Sequence, residues 1–249
     1  MSAPGVSPPE DRATAEREAL HPWSLVMAVS SLVFIAACIV APGALSPRGW
    51  SALHAAWTLC AFGYLFVRIR GYRRRADLVT AARVLLCPVL FAAHALDPHA
   101  AWWKVAIGIS ILLLDGVDGR VARRDGATGT GAVFDMESDA FYVVTMCAIA
   151  HVHLGVTPLV FIIGAMRPIY VCVWATIGLL FATVSPNRPG TLRGRLIHVG
   201  LVVALLVDLG PGIPLGVRNA VAVVAIGLIL YSYAVDVIGT FRPDEAGRG

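Results

Sequence analysis

Charge is what this sequence has least of. Only 14% of its 249 residues are charged, 57% are apolar and the mean hydropathy is +0.74, whereas a soluble domain carries roughly 25% charged residues. That scarcity excludes an ordinary water-soluble fold. Lysine is almost missing: Lys104 stands alone against nineteen arginines, the net charge is +4, and nothing in the distribution points to nucleic acid. Cysteine is sparse too. The five (Cys38, Cys60, Cys87, Cys147, Cys172) are odd in number and scattered through apolar runs, without the close pairs of a zinc site or a disulfide framework. The first 22 residues lack a basic stretch before the first apolar run and carry four acids against two arginines, which argues against a secretory signal. They read as a cytoplasmic tail with at most a short helix over Ala13 to Leu20. No internal repeat is visible.

What is there instead is a succession of apolar runs, most of them near the roughly 17 to 25 residues that cross a bilayer. Candidate spans run over Trp23 to Val40, Trp50 to Val67, Leu78 to Leu96, Trp102 to Ala122, Gly131 to Ala150, Thr157 to Val184, Leu196 to Leu209 and Ile213 to Ile238. The seventh is the shortest. The expectation is an all-α, polytopic membrane helix bundle of about eight transmembrane helices. Alternate connections hold most of the arginines: Arg68, Arg70, Arg73, Arg74 and Arg75, then Arg120, Arg123 and Arg124, then Arg188, Arg193 and Arg195. The intervening connections hold only Arg48, Lys104 and Arg218. Because basic loops stay inside, the first set and both termini face the cytoplasm.

Against so few charges, the stretch DGVDGRVARRDGATGTGAVFDMESD, Asp115 to Asp139, stands out. Asp115 and Asp118 are three apart and Asp135 and Asp139 four apart, so each pair shares a helix face with Cβ atoms roughly 5 to 6 Å apart. Two helices joined by a tight Arg/Gly turn can aim both pairs at one point. Left bare there, four carboxylates would repel one another or change protonation state. Two divalent ions supply the compensating charge, and an oxygen-only donor set favours Mg²⁺, Mn²⁺ or Ca²⁺ over zinc. A paired-metal clamp suits in-line phosphoryl chemistry. Gly119 and Gly131 leave backbone open to a ligand, and Arg123 and Arg124, one turn on, suit a pyrophosphate. Solvated positive-inside residues are the competing explanation for Arg124, Asp125 and Glu137.

The pattern Asp115-x-x-Asp118-Gly119-x-x-Ala122-Arg123, seven residues, then Gly131-x-x-x-Asp135-x-x-x-Asp139 resembles the signature of the CDP-alcohol phosphatidyltransferases at every motif position. Upstream, Asp77-Leu78-Val79-Thr80-Ala81-Ala82-Arg83 is similar to the family's Asn-x-x-Thr-x-x-Arg opening, with Asp in place of Asn. The resemblance implies a six-span core over 71–240, preceded by the polar tail 1–22 and two accessory spans at 23–70 and followed by a short cytoplasmic tail, 241–249. It implies a bacterial plasma-membrane enzyme, its site facing the cytoplasm. The reaction would use Mg²⁺ or Mn²⁺ as two ions and move a phosphatidyl group from CDP-diacylglycerol to a polar alcohol, releasing CMP. Asp115, Asp118 and Asp135 would ligate metal, and Asp139 would complete the cluster and act as general base. Gly119, Ala122, Arg123 and Gly131 would line the nucleotide site. Thr80, Arg83, Arg167, Arg193 and Arg195 are candidates for acceptor or lipid phosphate, Arg167 being expected nearer the outer leaflet than the motif. A homodimer follows from the resemblance alone.

Two alternatives stay open. The same motif serves transfer from a soluble CDP-alcohol to a lipid hydroxyl, and a metal-binding membrane scaffold or transporter would also collect acids between helices. The pair His151 and His153 reads as a wetted interface rather than a metal site, and Asp208 and Asp236 as interfacial.

Overall fold

A computed structural model of the chain describes residues 9–68, 75–97, 99, 101–125, 129–181 and 192–241. Every regular element among them is helical: α1 (Pro9–Val40), α2 (Pro47–Arg68), α3 (Arg75–Leu96), α4 (Trp102–Asp125), α5 (Gly129–Ala148), α6 (Phe161–Phe181), α7 (Leu192–Asp208) and α8 (Leu215–Phe241). A five-residue π turn, Ile149–His153, extends α5, and a short 3₁₀ turn, Pro158–Val160, leads into α6. The tails at 1–8 and 242–249 lie outside the described residues.

Turn chemistry explains several of the breaks. Ser46 accepts the Gly49 N–H at 3.1 Å and Pro47 opens α2, a pairing of N-cap and first-position proline that suits a helix start. Gly155 adopts φ 71° after the π turn, where the Val156 N–H donates to the Ala150 carbonyl at 2.9 Å. Between α7 and α8, Arg218 donates through Nε to the Ile213 carbonyl and through Nη2 to the Gly210 carbonyl, both at 3.0 Å.

Four helical stretches are long and apolar enough to cross a membrane: Pro22–Val40, Leu78–Leu96, Pro158–Ile177 and Leu215–Val235. Eight were expected from the sequence. The other four helices fall short in apolar length or composition. α5 carries Asp135, Glu137 and Asp139 within 20 residues, α4 ends in the charged GVDGRVARRD stretch, and the apolar part of α7 is only Leu196–Asp208. The first helix also departs from expectation: α1 begins at Pro9, well before the apolar run, and continues through Pro22. Its first turns read ATAEREAL, residues with strong intrinsic helix preference, and they extend the apolar helix rather than standing as a separate tail.

α3 packs against α2, α4 and α5, while α1 lies along α5 and α6 and α7 pairs with α8. The two N-terminal helices therefore share the core of α5. Trp23 donates its indole N–H to the Ala61 carbonyl at 3.0 Å and packs its ring against Phe62 and Phe134. His54 of α2, fully buried, stacks on Phe91 at 4.6 Å and meets the Thr145 hydroxyl of α5 at 3.0 Å. That hydroxyl donates to the Phe141 carbonyl, so its oxygen receives the proton on His54 Nε2. Two glycines let the site-bearing helices approach. A Cβ on Gly108 of α4 would stand 2.5 Å from Leu206 of α7, and one on Gly164 of α6 would stand 3.3 Å from the Val144 backbone of α5. The Tyr142 hydroxyl closes the first contact by donating to the Gly108 carbonyl at 2.8 Å.

Candidate metal centre

Asp135 and Asp139 stand one turn apart on α5, and Asp115 stands near the end of α4. Glu137 lies between the two aspartates in sequence but roughly 200° around the helix from Asp135, so it points elsewhere. The opposite side of α5 is anchored by Phe134 in the aromatic core. Packing thus decides which acids converge.

Their meeting point is a guanidinium. Arg83 of α3, only 2% exposed, donates through Nη1 to Asp115 and to Asp139 (3.0 Å), and through Nη2 to the carboxylate of Asp135 at 2.8 Å. The same Nη2 lies 3.4 Å from the Asp135 carbonyl. One oxygen from each of Asp115, Asp135 and Asp139 falls within 4.8 Å of the others. Those three carboxylates remain 27% to 42% exposed, so the cluster opens toward the surroundings while the arginine beneath it is sealed. The four side chains leave two negative charges over. An oxygen-only donor set with that surplus fits a hard divalent cation and not a thiophilic one.

Two further contacts border the cluster. His198 of α7 brings Nε2 to 3.9 Å from the second oxygen of Asp139, too far for a direct hydrogen bond. Nothing in the motif pointed to it. The only signal was a lone histidine nearly two turns into α7 after the arginine-rich connection. Glu137, 3% exposed, takes a hydrogen bond from Arg167 Nη2 of α6 at 2.7 Å, and the Arg167 guanidinium lies 6.0 Å from the Tyr170 ring. Arg167 was expected nearer the outer leaflet; its partner instead sits between Asp135 and Asp139, which brings Arg167 to the level of the carboxylates.

The remaining expected residues distribute as follows. Thr80 is buried on α3, one turn before Arg83. Gly119 follows on α4, and Gly131 occupies the first turn of α5. Asp118, Ala122 and Arg123 belong to the last turns of α4, and Arg193 and Arg195 to the first turn of α7, but their side chains lie outside the described residues. Near the opposite end of α3, Asp97 has its carboxyl held below the ordinary range, first by the His99 N–H and then by Lys104.

A cluster of hard donors between two helix ends, backed by one buried cation and open on one side, can hold a cation and present it to an anionic substrate. No curated protein and no solved structure matches the chain. The family model described as CDP-alcohol phosphatidyltransferase matches residues 73–234. That stretch takes in α3 through most of α8, with Arg83 and every carboxylate of the cluster, and the chain, a helical membrane transferase, belongs to the CDP-alcohol phosphatidyltransferase family.

Proposed function

We propose that this protein moves a phosphatidyl group from CDP-diacylglycerol to a polar alcohol and releases CMP. The observation that carries the reading is the convergence of Asp115, Asp135 and Asp139 on Arg83, with donor oxygens within 4.8 Å. Asp115, Asp118, Asp135 and Asp139 hold two Mg²⁺ or Mn²⁺ ions, which when bound offset the diphosphate charge and make the acceptor hydroxyl more acidic. Gly119, Ala122, Arg123 and Gly131 line the nucleotide site.

Asp139 is the general base. It takes the proton of the acceptor hydroxyl, with Arg83 holding one of its oxygens at 3.0 Å. The alcohol oxygen then bonds to the phosphatidyl phosphorus, the pyrophosphate P–O bond breaks, and CMP departs with the electron pair. Positioning such a base contributes about 10²- to 10⁴-fold. Arg83 keeps three mutually repelling carboxylates in reach of one another. Thr80, Arg167, Arg193 and Arg195 are assigned to acceptor or lipid phosphate, Arg167 acting from its bond to Glu137.

The chain crosses the membrane eight times, with the carboxylates and both termini on the cytoplasmic side of a bacterial plasma membrane, and it pairs as a homodimer. Residues 71–240 form the family core, while α1 and the helical part of 23–70 are additions that lend aromatic support to α5.

The test is CMP release by purified full-length protein in detergent, given CDP-diacylglycerol, Mg²⁺ or Mn²⁺ and a panel of polyols, polyol phosphates and amino alcohols. CMP formed with one acceptor class supports the reading. CMP formed only from soluble CDP-alcohols with a lipid hydroxyl reverses donor and acceptor. No CMP from either donor type, by folded and metal-loaded protein, assigns the cluster to a scaffold or transporter.

A further inference from the structure

A second polar concentration lies at the far end of α3. Arg83 and His94 are eleven residues apart on that helix, about 16 Å of rise, and beyond His94 opens a cavity of about 710 Å³. Three elements meet there. The first turn of α2 contributes Pro47 and Arg48, the last turn of α3 contributes His94 and Leu96, and the π turn contributes Val152 and His153. Arg48 is exposed. The cavity therefore lies where the two N-terminal helices join the family core.

Its polar groups specify a ligand. His94 is 2% exposed, and its Nδ1 lies 3.0 Å from the Leu90 carbonyl. A carbonyl only accepts, so Nδ1 carries the proton and Nε2 of the neutral ring is an acceptor. That Nε2 is buried with no partner among the described residues, and so is Nε2 of His153. A buried acceptor of this kind calls for a donor. Positive charge comes from Arg48, since the Gly49 N–H is already taken by the Ser46 hydroxyl, the Trp50 N–H by the Ser46 carbonyl, and Pro47 has no N–H. Lys104, fully buried, has its charge met by the Asp97 carboxylate at 3.2 Å, which leaves Arg48 as the cation among the lining residues. Leu96, Val152 and Pro47 supply apolar wall. The π turn that carries Val152 and His153 is a rare backbone form, found mostly where a function fixes it.

The geometry points to a binding site for a phospholipid with a hydroxyl-bearing head group. The phosphodiester meets Arg48, a head-group hydroxyl donates to His94 Nε2, and the acyl chain lies along the apolar wall. An ethanolamine head would carry its ammonium toward Arg48, and a choline head has no hydrogen to donate. The site is separate from the carboxylate cluster and does not rest on the reaction assigned there.

Full-length protein stripped of lipid in detergent is titrated with phosphatidylglycerol, phosphatidylethanolamine and phosphatidylcholine of matched chains, and with water-soluble glycerophosphoglycerol. Binding is read by native mass spectrometry and by the shift in Tm. Phosphatidylglycerol should bind at least about tenfold more tightly than the other two lipids, and Arg48→Gln, at an exposed position, should remove about tenfold of that affinity, as loss of a charge-assisted contact does. His94→Phe should erase the preference for a hydroxylated head while leaving Arg48 in place. Equal binding of the three lipids, or an unchanged affinity in Arg48→Gln, overturns the proposal. Glycerophosphoglycerol binding as tightly as the lipid, with the same loss in Arg48→Gln, upholds the recognition chemistry and assigns it to a soluble polyol phosphodiester.

Discussion

The two ends of the contact between α3 and α4 treat buried cations in opposite ways. At one end Arg83 is outnumbered by Asp115, Asp135 and Asp139, and two negative charges remain over in a cluster open to its surroundings. At the other, Lys104 is matched: it donates to the carbonyls of Asp97 and His99 and pairs with the Asp97 carboxylate at 3.2 Å. Arg218 is held by the carbonyls of Ile213 and Gly210 through Nε and Nη2, while its Nη1 is buried with no partner among the described residues. A buried cation with its charge met is a structural fastener, because satisfying it holds a loop to a helix end. A cation outnumbered by acids among its described partners leaves negative charge that a metal ion can meet, and that surplus marks the site of chemistry.

Substitutions at the two ends should therefore separate activity from stability. The largest effect belongs to Asp139→Asn, which should cut CMP release about 10³-fold with little change in Tm; turnover within tenfold of the parent would remove Asp139 from the role of base. Arg83→Ala leaves three acids facing one another. In metal-free buffer it should cost about 2 kcal/mol, less than a fully buried pair because the carboxylates are partly exposed. Added Mg²⁺ or Mn²⁺ should recover much of that loss in a thermal-unfolding assay. A deficit indifferent to metal would mean that Arg83 only packs.

Lys104→Met probes the matched end and should lower Tm by about 2 to 6 °C while CMP release stays within about twofold. A collapse of activity there would erase the distinction between the ends. The smallest effect is a pH dependence. Because the Asp97 carboxyl is depressed, chiefly by the His99 N–H and next by Lys104, its contribution is full above the ordinary carboxylate range and fades as acid carries the pH through the depressed value. The Tm difference between parent and Asp97→Asn should be present at neutral pH and shrink on acidification; a difference that grows in acid would contradict the sign.

Helical character and the converging carboxylates were legible because both depend on local spacing. The i, i+4 separation of Asp135 and Asp139 sets a shared face as soon as α5 is helical, and Asp115 reaches that face because α4 and α5 both pack on α3. What depends on distant packing was not legible. Arg83 read as one phosphate ligand among several, and nothing in its neighbours in sequence foretold that α3 would carry it beneath three acids from α4 and α5. His198 and the Arg167–Glu137 bond likewise require knowing how α6 and α7 pack on α5. The first two helices look separable in sequence, since they precede the matched family region, yet Trp23, His54 and Phe62 are built into the aromatic core behind Phe134 and Phe141. α4 and α5 carry the acids that make the site, and those acids lower their apolar character below that of the four stretches long and apolar enough to cross a membrane.

The most direct test of the central claim is a Mn²⁺ titration of the purified protein followed by electron paramagnetic resonance, with and without a CDP-linked donor. The carboxylate cluster should immobilise Mn²⁺, more tightly when the diphosphate is present, and Asp115→Asn with Asp135→Asn should abolish that signal in a protein that still unfolds cooperatively. Undiminished Mn²⁺ binding in the double variant would contradict the account.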